Sequence, residues 1–205
     1  MARAFEELFG IADAFRRIPM PGRTDAWILA DALAANGVTA HDARVADFPR
    51  TYLRHLTNEI REPGPRKGVM PGVRPLLDAL RAHPDVHLAL LTGNFEAAAR
   101  VKLEYFELWE YFPCGAFGDE APERNGLLPK AIARVAECGG PRIEPRATVV
   151  IGDTPLDIGV AKSGGARSIG VATGGSSADD LRASGADVVF DDLADTKAVL
   201  DALGI

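Results

Sequence analysis

Past residue 72 the apolar residues change their pattern, and that change constrains the fold more than any other feature of the chain. Short β-rich runs at Val86–Leu91, Cys114–Phe117, Thr148–Ile151, Arg167–Val171 and Val188–Phe190 alternate with helical stretches. Those stretches are Val73–Ala82, Phe95–Phe106, Lys130–Glu137, Pro155–Ser163, Ala178–Ala183 and Leu193–Leu203. Strands with long helical crossovers between them pair in parallel, and a parallel sheet needs helices on both faces. The expected core is therefore a doubly wound, Rossmann-like α/β layer structure.

The N-terminal third reads differently. Ala4, Phe5, Leu8, Phe9, Ala12 and Phe15 recur at helical spacing. Thr24 is a suitable N-cap for a helix over Asp25–Asn36, with Gly37 as its stop. A third helical stretch runs from Ala40 to Arg61 and is interrupted near Pro49. Pro63-Gly64-Pro65, Gly68 and Pro71-Gly72 then mark a linker. The 205 residues thus divide into an all-helical lobe over 1–66 and an α/β core over 67–205.

Charge and composition remove several functions. The formal net charge is −6, and no basic stripe offers a nucleic-acid surface. Arg66 and Lys67 read as part of a solvated loop. No apolar run approaches the roughly 18–20 residues of a membrane span. The first ten residues have the pattern of an amphipathic helix and lack the apolar centre of a secretion signal. Cys114 and Cys138 have no metal-ligand spacing, so two reduced thiols in a cytoplasmic protein are expected. The four histidines are dispersed. Oligomeric state is open at this level.

Three motifs carry chemistry. Thr92-Gly93-Asn94 lies at the carboxyl end of a strand, where α/β sheets hold ligands and where the next helix offers N–H groups to an anion. Taken alone, Thr92 and Asn94 also read as caps of the helix from Phe95. Lys130 follows Pro129 at an expected helix start, a place the macrodipole disfavours for a cation, although a solvated surface lysine explains it too. Asp153 ends the Val149–Gly152 run, and Asp157 falls in the first turn of the next helix. Paired carboxylates at a strand end suit Mg2+. Helix-terminus electrostatics accounts better for Asp157 than for Asp153.

In their order these motifs resemble motifs II, III and IV of the haloacid dehalogenase (HAD) superfamily of phosphohydrolases. Gly115-Ala116-Phe117-Gly118-Asp119 and Gly170-Val171-Ala172-Thr173-Gly174-Gly175 are similar to its phosphoglycolate-phosphatase-like branch, and Gly22-Arg23-Thr24-Asp25 resembles the substrate-facing loop of that branch's helical cap. The resemblance implies a Mg2+-dependent phosphomonoester hydrolase acting on a small phosphorylated metabolite. Thr92, Gly93 and Asn94 would hold the phosphoryl group, Lys130 would balance its charge, Asp153 would bind Mg2+ and Asp157 would support it. Arg23 would contact the non-phosphoryl end of the substrate, or form a surface ion pair.

The family's motif I, a strand ending in Asp-x-Asp-x-Thr that carries the nucleophile, is not found here. Phe190-Asp191-Asp192 follows an apolar run but has the wrong spacing and place. The resemblance implies that the first, central strand is missing, between those that carry Thr92 and Asp153. Two readings follow. In the first, which is the expectation, Met1 is internal to a longer protein that supplies the strand. In the second, the chain is a non-catalytic phosphate-binding or protein-interaction relative. Either way, this chain is expected to be inactive by itself.

Overall fold

The computed structural model describes residues 1–64, 67–121 and 123–205. The expected lobe boundary and Arg66 therefore lie outside the described residues. The first group of helices is α1 (Ala2–Phe9), α2 (Asp25–Ala35) and α3 (Phe48–Glu59). They enclose an aromatic core in which Phe5 and Phe48 are fully buried, with Phe5 edge-on to Phe15 at 5.5 Å. Helix α1 is shorter than its periodicity suggests. Gly10 ends it in the left-handed conformation, φ 72°, and turns carry Phe15 back onto the same core. Pro49 does not break α3. It occupies the first turn, where a missing N–H costs nothing.

The second group is α4 (Val73–Ala82), β1 (Ala89–Leu91), α5 (Glu96–Tyr105), β2 (Cys114–Ala116), α6 (Leu127–Glu137), β3 (Val149–Gly152), α7 (Pro155–Gly164), β4 (Arg167–Val171), α8 (Ala178–Ala183), β5 (Val188–Phe190) and α9 (Thr196–Leu203). Every strand pair among the described residues is parallel, as the alternation required. The run from Val86 is paired over Ala89–Leu91, the length that β2 matches. Helix α6 starts at Leu127, ahead of the expected Lys130, because Leu127 and Leu128 bury almost completely and Pro129 is tolerated in a first turn. Helix α9 starts at Thr196 behind Asp195, whose carboxylate accepts from the Ala198 N–H.

The strands form two ladders, β1–β2 and β3–β4–β5. Among the described residues no strand pairs with both β1 and β3. Helix α6 joins the ladders instead. Its Leu127 and Ala131 pack with Ala116 and Leu91, and its Leu128 packs with Val150, Val160 and Ala161. Ile151 of β3 is 36% exposed, so this strand is not covered on both faces as expected. The helical group joins the second through Ala98 of α5, which is buried in the aromatic core, and through Tyr52 against Phe95, ring centroids 6.4 Å apart. The C-terminal ends of β1 and β3 therefore face the loop that leads into α2.

Candidate functional site

Thr92 extends the end of β1, donating its N–H to Ala116 O at 3.1 Å. Its hydroxyl oxygen accepts two bonds from Asn94, one from the backbone N–H at 3.2 Å and one from the side-chain amide at 2.9 Å. Neither residue caps α5: Phe95 is the N-cap, without a side-chain cap bond. The helix N-terminus is also less open to an anion than the sequence suggests. The Phe95 N–H donates to Asp25 Oδ2 at 2.9 Å, and the Glu96 N–H to Asp119 Oδ1 at 3.3 Å. Gly93 is required by close approach, since a Cβ there would lie 2.3 Å from Arg23 O.

The end of β3 builds the opposite wall. Thr154 and Asp157 form a capping box for α7: Asp157 Oδ2 accepts from the Thr154 N–H at 3.0 Å and from its hydroxyl at 2.8 Å. Arg124, in a short 3-10 turn over Arg124–Gly126, donates to Asp157 Oδ1 at 2.5 Å and to Gly22 O at 3.1 Å. Asp157 is thus satisfied on both oxygens. Asp153 is not so engaged. Burial first, and then the charge of Asp157, pushes its carboxyl above the usual range.

The third wall is the loop before α2. The Asp25 N–H donates to Gly93 O at 2.6 Å, so Asp25 is tied to the β1–α5 loop through backbone and side chain alike. Burial pushes its carboxyl up. Arg23 pairs with Asp31 at 2.6 Å and lies 3.9 Å over the Trp27 ring. Its Nε is buried without a partner among the described residues, as is that of Arg124. Lys102 of α5 reaches back to donate to Asn94 Oδ1, and burial pushes its ammonium down.

Between these walls lies a cavity of about 470 Å3, lined among others by Arg23, Asp25, Thr92, Asn94, Lys102, Arg124, Asp153 and Asp157. The structure therefore brings together five residues singled out by sequence, Arg23, Thr92, Asn94, Asp153 and Asp157, with Gly93 beneath them. It does not bring Lys130, which is exposed in the first turn of α6 and is not among the lining residues. Among the described residues the side-chain cations at the cavity wall, besides Arg23, are Arg124 and Lys102, both missed by sequence reasoning. Arg124 lacks any periodic signal, and Lys102 reads as an ordinary helix lysine.

A metal would find few donors here. Among the described residues no cluster of three or more His, Cys, Asp or Glu side chains could hold an ion. With Asp157 engaged, Asp153 is the open carboxylate of the Asp153/Asp157 pair. That set matches Mg2+ held by one carboxylate together with substrate phosphate oxygens, and not a cage built by protein alone.

Comparison with known proteins covers most of the chain. The HAD-hydrolase-like family matches residues 124–196. A phosphoglycolate phosphatase of Rhodospirillum rubrum is 30% identical over 85% of this chain and 71% of its own length. A phosphoglycolate phosphatase of Chromobacterium violaceum is 29% identical over 72% of this chain, which spans 60% of that relative's length. Among solved structures, CbbY from Rhodobacter sphaeroides in complex with phosphate superposes with a TM-score of 0.68 at 18% identity, covering 94% of this chain and 87% of CbbY. No helix among the described residues is long and apolar enough to cross a membrane.

Proposed function

Because the chain belongs to the phosphoglycolate-phosphatase-like branch of the haloacid dehalogenase superfamily, we propose that its cavity receives the phosphoryl group of a small phosphorylated metabolite. The observation that carries this reading is the meeting of Thr92, Asn94, Arg124 and Asp153 in one cavity from separate segments. Thr92 and Asn94 hold phosphoryl oxygens with uncharged groups. Arg124 supplies the balancing charge that the resemblance assigned to Lys130. Its planar fork suits oxyanions, and Asp157 holds it in place.

Asp153 holds Mg2+ jointly with the bound phosphoryl oxygens, and the ion neutralises charge on the transferring group when present. Turnover in this family's manner needs a carboxylate free to attack phosphorus. Asp157 is bonded to Thr154 and Arg124, Asp153 is assigned to the ion, Asp25 serves the Phe95 N–H through Oδ2, and no Asp-x-Asp-x-Thr run in this sequence offers the family's nucleophile. The chain by itself therefore binds a phosphoryl group and hydrolyses its ester poorly, about 10⁴–10⁶-fold below a complete site.

Calorimetric titration with inorganic phosphate, with and without Mg2+, tests the binding half. Phosphate is expected to bind, more tightly with Mg2+, and more weakly to Thr92→Val. Equal affinity of both proteins would remove the reading. Assay with an aryl phosphate tests the other half: metal-dependent hydrolysis above about 1 s⁻¹, an ordinary enzyme rate, would show that a nucleophile is present after all.

A further inference from the structure

We infer that Lys102 is a positioning residue which, through Asn94, commits the Thr92 hydroxyl to donating a hydrogen bond into the cavity. This rests on the phosphoryl-binding reading above. Side chains on a helix lean toward its N-terminus, so Lys102 of α5 can reach the loop that precedes its own helix. Its ammonium has donors only, and it donates to Asn94 Oδ1. That contact decides which way the Asn94 amide faces. The oxygen turns to Lys102, and the NH2 group turns to Thr92 Oγ1, at 2.9 Å.

Thr92 Oγ1 also accepts the Asn94 backbone N–H at 3.2 Å. A hydroxyl oxygen accepts about two such bonds, so both acceptor positions are taken. What remains is the O–H. It has no protein acceptor among the described residues, and Thr92 lines the cavity. A threonine that is free to turn would present either a donor or an acceptor to a ligand. This one presents a donor, which selects an oxyanion. With the amide reversed, Asn94 would offer Thr92 an oxygen, the hydroxyl would turn toward it, and the cavity would lose its donor.

The lysine belongs to the last turn of α5, and its ammonium is buried near the Met1 amino group, with Asp25 as the carboxylate that offsets its charge. Asn94 Oδ1 is its hydrogen-bond acceptor.

A double-mutant cycle read by phosphate calorimetry at constant ionic strength separates an indirect role from direct charge attraction. Lys102→Met should weaken phosphate binding about tenfold. In a Thr92→Val background the same change should cost less than about twofold, because the hydroxyl it acts through is gone. Lys102→Arg, which can still donate to Asn94, should stay within about threefold of the native chain. An equal loss in both backgrounds would mean direct contact with phosphate and overturn the inference. So would an unchanged affinity for Lys102→Met. If Thr92→Val has no effect, the phosphoryl-binding reading falls first and this inference with it. Melting curves check folding, and should Lys102→Met not fold, Lys102→Leu, which likewise has no donor for Asn94, completes the same cycle.

Discussion

Asp25 bonds the β1–α5 loop from both its backbone and its side chain, yet burial pushes its carboxyl up. The sign of the consequence is definite. The folded chain keeps this proton to higher pH than the unfolded chain, so stability falls as pH rises through the window just above the ordinary carboxylate range. Asp25→Asn keeps an acceptor for the Phe95 N–H and removes the charge. Thermal melts from pH 4 to 8 should show this variant at least as stable as the native chain at pH 7, with a flatter profile. Asp25→Ala leaves the Phe95 N–H unpaired and should lose about 1–3 kcal/mol. An Asp25→Asn chain that melts well below native at pH 7 would contradict the assignment. At this scale the sequence is legible only in part. Thr24 and Asp25 announce themselves as the start of a helix. Arg124 and Lys102 do not announce a site, because their partners Asp157 and Asn94 are named by the fold and not by spacing.

At the scale of elements, glycines separate packing from propensity. The Gly118 N–H donates to Asn94 O at 2.7 Å, and a Cβ at Gly118 would lie 1.9 Å from Gly93 O. Gly118→Ala must push apart the two loops that follow β1 and β2, at about 1–3 kcal/mol. Gly159 lies within α7 with nothing near its would-be Cβ. Gly159→Ala should therefore stabilise by about 0.5–1 kcal/mol. Chemical denaturation of both variants checks the pair, and a shift of the same sign in each would refute the distinction. Helices Val73–Ala82 and Ala178–Ala183 and strands Arg167–Val171 and Val188–Phe190 could be read directly from apolar spacing and caps. The starts of α6 and α9 could not. Pro129 reads as a boundary although the apolar burial of Leu127 and Leu128 extends the helix past it, and Leu193 belongs to the core without being helical.

For the whole molecule, the division of the strands into two ladders sets where stability resides. Among the described residues strand β4 is paired on both sides, whereas β1 and β3 each have one partner. Hydrogen exchange should find its slowest amides in β4, while the free-edge amides of β1 and β3 exchange orders of magnitude faster. Equal protection of all three strands would mean that the ladders are joined in solution. Parallel pairing was legible from the alternation of elements, whereas a missing strand between those that carry Thr92 and Asp153 was expected only from the family resemblance, since no run of residues encodes the absence of a neighbour. The loop before α2 adds a different consequence. Asp25 N–H to Gly93 O, Phe95 N–H to Asp25 and Arg124 to Gly22 O together latch the helical group over the cavity. How firmly the helical group is held and the shape of the space between the three walls are therefore one property, so a substitution that loosens any of these bonds changes both.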